Sequence, residues 1–280
     1  MRFLSYISNM TKNLDNFGLK SIADNYDLFF IDLWGVVHNG IKLYEDSIEV
    51  LDNLSKAKKN FILLTNAPRP NESVINFLKK IGLKKYFENV FTSGEAAHQY
   101  LVSELYKQKF FHIGPPRDFD LFKNIEKNNV VNIEDCDYLL CTGLFDEHEN
   151  DLNYYKNLLS NHISKKLICT NPDLIVDRGE IREYCAGSVA KIFEEIKGRA
   201  VYFGKPHPPV YNLSTNIKDK KVLCIGDNLN TDIKGANIQN FDSLLITNGI
   251  HKQEILETEL NDVLKKYKVN VDYTQKILKW

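Results

Sequence analysis

The sequence predicts an α/β protein: a doubly wound parallel sheet carrying an inserted α/β cap. Three observations carry that expectation. Two short apolar runs, 28–31 and 222–225, lead into carboxylates, Asp32 directly and Asp227 after Gly226; an open parallel sheet assembles a site at its carboxyl edge in this way. Strand-like and helix-like patterns alternate over residues 28–105 and again over 200–246, the rhythm of right-handed crossover units that cover both faces of a sheet. Between these blocks lie Tyr106 to Arg199, too long a stretch for a structureless connection.

Taken in order, 28–31 reads as a strand and 44–56 as an amphipathic helix with Ile48, Val50, Leu51 and Leu54 on its apolar face. Residues 61–64 form the next strand. Pro70-Asn71 opens a helix over 71–80 that ends near Gly82. Val90-Phe91-Thr92 is a third strand, and Ser93 is the expected N-cap of the helix behind it. The core rhythm is expected to resume with 200–203, 208–213, 221–225, 232–237 and 243–246. The intervening stretch has its own units at 110–113, 138–141, 152–159, 167–169 and 188–196. The expected division is a core of 1–106 with 200–280 and a cap of 107–199. A last element over 267–280 is expected to bury Val269, Val271 and Ile277 on the core.

Composition narrows the function classes. The chain has 280 residues, 43% hydrophobic and 26% charged, with a net charge of −1, the profile of a globular protein of about two domains. Near-neutral charge gives no basic field for nucleic acid or an anionic membrane. Five scattered cysteines with no CxxC pair suggest neither a disulfide framework nor a zinc site. The first ten residues lack a secretory signal pattern, and no apolar run reaches the roughly 18 residues of a membrane span. A soluble protein of the reducing cytoplasm is expected.

Asp32 opens Asp32-Leu33-Trp34-Gly35-Val36-Val37, and Asp227 opens Gly226-Asp227-Asn228-Leu229-Asn230-Thr231-Asp232. A carboxylate at a strand end can be a turn former or a helix cap; two such tips together suggest a site. Thr65 and Asn66 follow a third apolar run, where hydroxyl and amide donors suit a phosphoryl oxygen, although the pair before Ala67-Pro68 also reads as a simple turn. Lys205, in Gly204-Lys205-Pro206-His207-Pro208, is either a surface lysine or the cation among these acids.

In order and spacing this set resembles the haloacid dehalogenase-like (HAD) hydrolases. The likeness runs from Leu28 to about Gly249 and extends through Thr170-Asn171-Pro172-Asp173 and Ala186-Gly187-Ser188 to the class IIA, NagD-like branch. It implies a Rossmann-like core with a C2-type cap and a Mg²⁺-dependent phosphatase of a small phosphorylated metabolite. Asp32 would be the nucleophile. Mg²⁺, which favours hard oxygen ligands, would be held by Asp32, the Trp34 carbonyl and Asp227, with Asp232 orienting its waters or pairing with Lys205. Thr65 and Asn66 would bind phosphate, and Lys205 would keep Asp32 ionised. Arginine is scarce here, and Arg182, beside the AGS segment, is the candidate for a second anionic group on the substrate. No nucleic-acid or membrane partner is implied, and a homodimer stays open.

Trp34 departs from the pattern. Most relatives carry a second aspartate there, which protonates the leaving alkoxide and then activates water. An indole N–H cannot exchange protons at neutral pH. Trp34 is therefore either a core aromatic under the short flap Val36-Val37-His38-Asn39-Gly40 or a wall for the substrate's apolar part. His38 and His207 titrate in the right range to supply a proton, or are structural. The departure keeps alternatives open: a non-hydrolytic phospho-ligand protein, or a hydrolase of a bond other than a phosphate ester.

Overall fold

The computed structural model describes residues 11–178 and 181–280. Strands in chain order are β1 Lys12–Asn13, β2 Leu28–Ile31, β3 Asn60–Thr65, β4 Val90–Thr92, β5 Phe110–Ile113, β6 Tyr138–Cys141 and β7 Lys166–Cys169. They continue as β8 Ile175–Arg178, β9 Ile181–Tyr184, β10 Arg199–Tyr202, β11 Val222–Gly226, β12 Asp242–Ile246 and β13 Tyr273–Gln275. Among the described residues they form a seven-stranded sheet in the order β1-β13-β12-β11-β2-β3-β4, a four-stranded sheet β10-β7-β6-β5 and a β8–β9 hairpin.

Every pairing in the two larger sheets is parallel. In the seven-stranded sheet the chain runs outward from β2 through β3 to β4, then outward the other way from β11 through β12 and β13. The order therefore reverses between β2 and β11, where an open α/β sheet leaves a crevice at its carboxyl edge. Ile31 stands opposite Ile225 in register, so the residues just past these strands emerge together.

Alternate strand residues point to opposite faces, and both faces are apolar. Phe29, Ile31, Leu63, Leu223 and Ile225 enter one buried cluster; Leu28, Phe30, Leu64, Val222 and Cys224 enter another. The second cluster continues into the cap through Phe110, Phe122, Tyr138, Leu140 and Ile168. Each such side chain contributes about 1.5–3 kcal/mol on burial, so one apolar layer joins cap to core.

Three expectations need correction. Residues 200–203 do not resume the core: β10 pairs with β7 and completes the cap sheet, which moves the return to the core beyond Tyr202. The N-cap of helix Ser93–Glu104 is Thr92, whose Oγ1 accepts from Glu95 N at 2.8 Å, while Ser93 Oγ donates to Ala67 O. In the C-terminal segment Val269 and Val271 are buried, but Ile277 is 44% exposed and Leu278 takes the buried place.

Candidate active site

Four strand tips and one turn converge at the switch point. Asp32 follows β2, Thr65 ends β3, Asp227 follows β11, and Asp232 lies in the turn Leu229–Ile233. Lys205 follows β10. Its Nζ donates to Asp32 Oδ1 at 2.6 Å, to Asp232 Oδ1 at 2.7 Å and to Leu64 O at 3.0 Å. All five residues are buried. Asp232 Oδ2 also accepts from Asn228 N at 3.1 Å, and Asp227 Oδ2 accepts from Ile250 N at 2.8 Å.

The charges do not balance. Burial pushes Asp32 up to about 7, opposed by Lys205 and reinforced by Asp232. Asp227 is driven well above the ordinary carboxylate range by burial and then by Asp32 and Asp232. Burial pulls Lys205 down, but the two carboxylates outweigh it and hold the ammonium above the usual lysine value. One cation therefore faces three buried acids, whose ligand atoms lie within 4.8 Å of one another. Such an oxygen set fits a hard divalent ion. Asp232 spends both oxygens on Lys205 and Asn228, whereas Asp32 and Asp227 each have one carboxylate oxygen outside these bonds. The fit is therefore best at Asp32 and Asp227, with Asp232 holding Lys205.

Thr65 Oγ1 accepts from Ala67 N at 3.3 Å, which leaves its own hydrogen to donate elsewhere. Asn66 is different. Its Nδ2 donates to Lys205 O at 3.0 Å and to Asp173 Oδ1 at 3.1 Å, and its Oδ1 accepts from Lys205 N at 2.7 Å. An amide has two N–H donors, and both are engaged. In this arrangement Asn66 braces the Lys205 backbone and the cap, so binding phosphate through its amide would require giving up one of these bonds.

Trp34 packs edge-on against His38, with ring centroids 5.3 Å apart, and His38 in turn meets Phe77 at 5.4 Å. The indole thus lies beneath the flap, partly exposed. Burial lowers His38 to about 4, and its Nδ1 accepts from Gly40 N at 2.9 Å. His207 stacks on Tyr202 at 4.5 Å, and burial lowers it to about 4 as well. Both imidazoles are neutral at pH 7, and a neutral imidazole N–H is too weak an acid to substitute for the one absent at position 34.

Arg182 is exposed on β9, opposite Asp177 in register. Its charge acts on the Tyr267 hydroxyl in helix Leu260–Tyr267, which places it at the cap–core rim. Arg69 reaches Asp120 of the cap at 2.8 Å. The residue that sequence reasoning left outside the site is Asp173. It comes from the Asn171-Pro172-Asp173 segment after β7 and bonds Asn66. The segment itself was visible; its reach into the core was not.

Residues 29–127 match the haloacid dehalogenase-like hydrolase family, and residues 202–269 match a second HAD-hydrolase-like family. A solved haloacid dehalogenase-like hydrolase from Brucella suis 1330 superposes with a TM-score of 0.79 at 30% identity, covering 93% of this chain and 98% of that one. The chloroplastic phosphoglycolate phosphatase 1A of Arabidopsis thaliana is 24% identical over 95% of this chain and 79% of its own length. The 5'-nucleotidase YutF of Bacillus subtilis (strain 168) is 24% identical over 84% and 92%. Among the described residues no helix is long and apolar enough to cross a membrane. With family matches over residues 29–127 and 202–269 and a solved relative 30% identical over 93% of this sequence, the chain belongs to the haloacid dehalogenase-like hydrolases.

Proposed function

We propose that this chain is a Mg²⁺-dependent, NagD-like phosphatase of a small phosphorylated metabolite, working through an aspartyl-phosphate on Asp32. The observation that carries the reading is the placement of Asp32 and Asp227 on either side of the sheet's switch point, with Lys205 bonded to Asp32 at 2.6 Å. A regulatory phospho-ligand protein would need the cation site but not the nucleophile. The relatives are named for different substrates, a phosphoglycolate and a nucleotide; a phosphate ester is common to both.

In this reading the Asp32 carboxylate attacks phosphorus. Lys205 fixes the nucleophile's orientation and offsets part of the accumulated negative charge. Thr65 donates its hydroxyl hydrogen to a phosphoryl oxygen. Asp32, the Trp34 carbonyl and Asp227 would hold Mg²⁺, which when bound supplies the positive charge that lets two anions meet. Asp232 keeps Lys205 in place. Arg182, at the cap–core rim, is retained as a candidate for a second anionic group on the substrate.

The test is a phosphatase screen of the purified protein with Mg²⁺, including acetyl phosphate and p-nitrophenyl phosphate, run beside Asp32→Asn. Turnover abolished in the variant supports the assignment. Equal turnover in both proteins would overturn it.

A further inference from the structure

Position 34 offers no proton to a leaving group, and His38 and His207 are both neutral in the working range. Among the described residues one further carboxyl reaches the site: Asp173 of the cap. Its loop is built to hold it there. Asp173 N donates to Asn171 Oδ1 at 3.0 Å, while Cys185 N and Ser188 Oγ both donate to Leu174 O, at 3.0 and 2.7 Å. Gly187, in the first turn of helix Ala186–Glu195, backs the loop so closely that a Cβ would stand 2.3 Å from Pro172 O and 2.5 Å from Asp173 O. From the core side, Asn66 Nδ2 bonds the Asp173 carboxylate at 3.1 Å, and the nearby Thr231 hydroxyl favours its ionised form. Asn66 neighbours Thr65, and Thr231 neighbours Asp232. The carboxyl therefore lies beside the Asp32–Lys205 centre, close enough to raise Asp32.

We propose that Asp173 is the general acid–base of this site, carrying out from the cap the proton transfers that Trp34 cannot. The proposal rests on the phosphatase reading. As Asp32 attacks, the bond from phosphorus to the leaving oxygen breaks and its electron pair stays on that oxygen. The oxygen takes the proton from the Asp173 carboxyl, and the alcohol departs. The Asp173 carboxylate then accepts a proton from water as the water oxygen attacks phosphorus. The phosphorus–Asp32 bond breaks, the Asp32 carboxylate is restored and inorganic phosphate leaves. The groups facing Asp173 are Lys205, Asp32 and Asp232 from the core and Cys169 and Cys185 from the cap. Burial keeps both thiols protonated. Burial also pushes Asp173 up to about 6 against the pull of Lys205, so both of its forms are populated near neutral pH, as a dual acid–base requires.

The experiment compares kcat/KM of wild type, Asp173→Asn and Asp32→Asn on phenyl phosphate and p-nitrophenyl phosphate with Mg²⁺. These substrates are similar in size but differ in how much the leaving oxygen needs a proton. Asp173→Asn should lose about 10²-fold or more on phenyl phosphate, within the general acid range. It should lose no more than about 10-fold on p-nitrophenyl phosphate, and should show a burst of p-nitrophenol as the aspartyl-phosphate accumulates. Equal losses on both substrates, or none, would overturn the proposal and leave Asp173 as a brace for Asn66. If thermal unfolding shows that Asp173→Asn does not fold, the wild type decides: a shallow dependence of kcat/KM on leaving-group basicity supports an acid, and a steep one excludes it. Turnover unchanged in Asp32→Asn would sink the phosphatase reading itself, separately from the question of the acid.

Discussion

A Cβ on Gly40 would stand 2.6 Å from Cη2 and 2.8 Å from Cζ2 of Trp34, so the flap closes over the indole only because position 40 has no side chain. Gly40 also has a φ of +85°, in the left-handed region that L side chains avoid. Gly40→Ala should therefore cost about 1–3 kcal/mol through overpacking and strain. Adding Trp34→Ala removes the clash. The double variant should lose less than the sum of the two single losses, by about 1 kcal/mol. Thermal unfolding of the four proteins measures this coupling, and strict additivity would show that the indole leaves the flap in solution.

Among the described residues Lys205 is the only ammonium bonded to Asp32 and Asp232 in this buried centre. Lys205→Met strands those carboxylates, and breaking a buried ion pair from one side costs about 3–5 kcal/mol. The variant's acids have an escape, which is to take up protons. Their folded-state values then rise further, so the folded form binds more protons than the unfolded chain, and stability falls as pH rises. The loss should be small near about pH 5 and largest near about pH 8. Denaturant unfolding of both proteins at the two pH values checks this; a loss independent of pH would mean that the carboxylates are not held by Lys205.

The site's carboxyl edge could be read from the sequence because strand and tip are local. Runs 28–31 and 222–225 are apolar throughout, and the next acids must leave the sheet where the strands end. Long-range pairing could not be read. The pattern of β10 fits either sheet, and only its register against β7, Arg199 opposite Lys166, assigns it to the cap. From sequence Asn66 reads as a phosphate donor; its partners in the structure, Asp173 and Lys205, lie 107 and 139 residues away and cannot be read from local pattern. The neutrality of His38 likewise depends on burial by the flap and Phe77, which no spacing encodes. Even a one-residue choice, Leu278 buried instead of Ile277, is made where the chain bends at residues 276–277 after β13.

Protons and metal should compete at this cluster. Asp32 rises from 3.8 to about 7 through burial, and Asp227 moves the same way. The unfolded chain gives up these protons near the ordinary value while the folded metal-free protein keeps them. Stability of the metal-free protein therefore declines as pH rises from about 4 to about 7. A divalent cation relieves the same repulsion, but only once the acids are ionised. Excess Mg²⁺ should stabilise the fold little at about pH 5 and clearly at about pH 8, by up to about 2.7 kcal/mol at a hundred times its Kd, read as a rise in Tm. Asp227→Asn should abolish the gain. A gain equal at both pH values would place the ion elsewhere.

Trp34→Asp tests whether the absent acid limits this chain. The indole is partly exposed and packs on Gly40 and His38, so removing it should cost about 2 kcal/mol, below the 3–5 kcal/mol of a fully buried tryptophan. If position 34 were simply an empty post, the new carboxyl would recover much of the ~10²–10⁴ of general acid catalysis. With Asp173 already supplying the proton, Trp34→Asp alone should gain little on phenyl phosphate. The informative protein is the double variant. In an Asp173→Asn background, Trp34→Asp should restore phenyl phosphate turnover by about 10-fold or more while changing p-nitrophenyl phosphate far less, because only the more basic leaving oxygen needs the proton. A large gain in the single variant would mean that the site lacks an acid in its natural form. A rise in KM on both substrates with no gain in kcat would instead identify Trp34 as a wall of the substrate pocket.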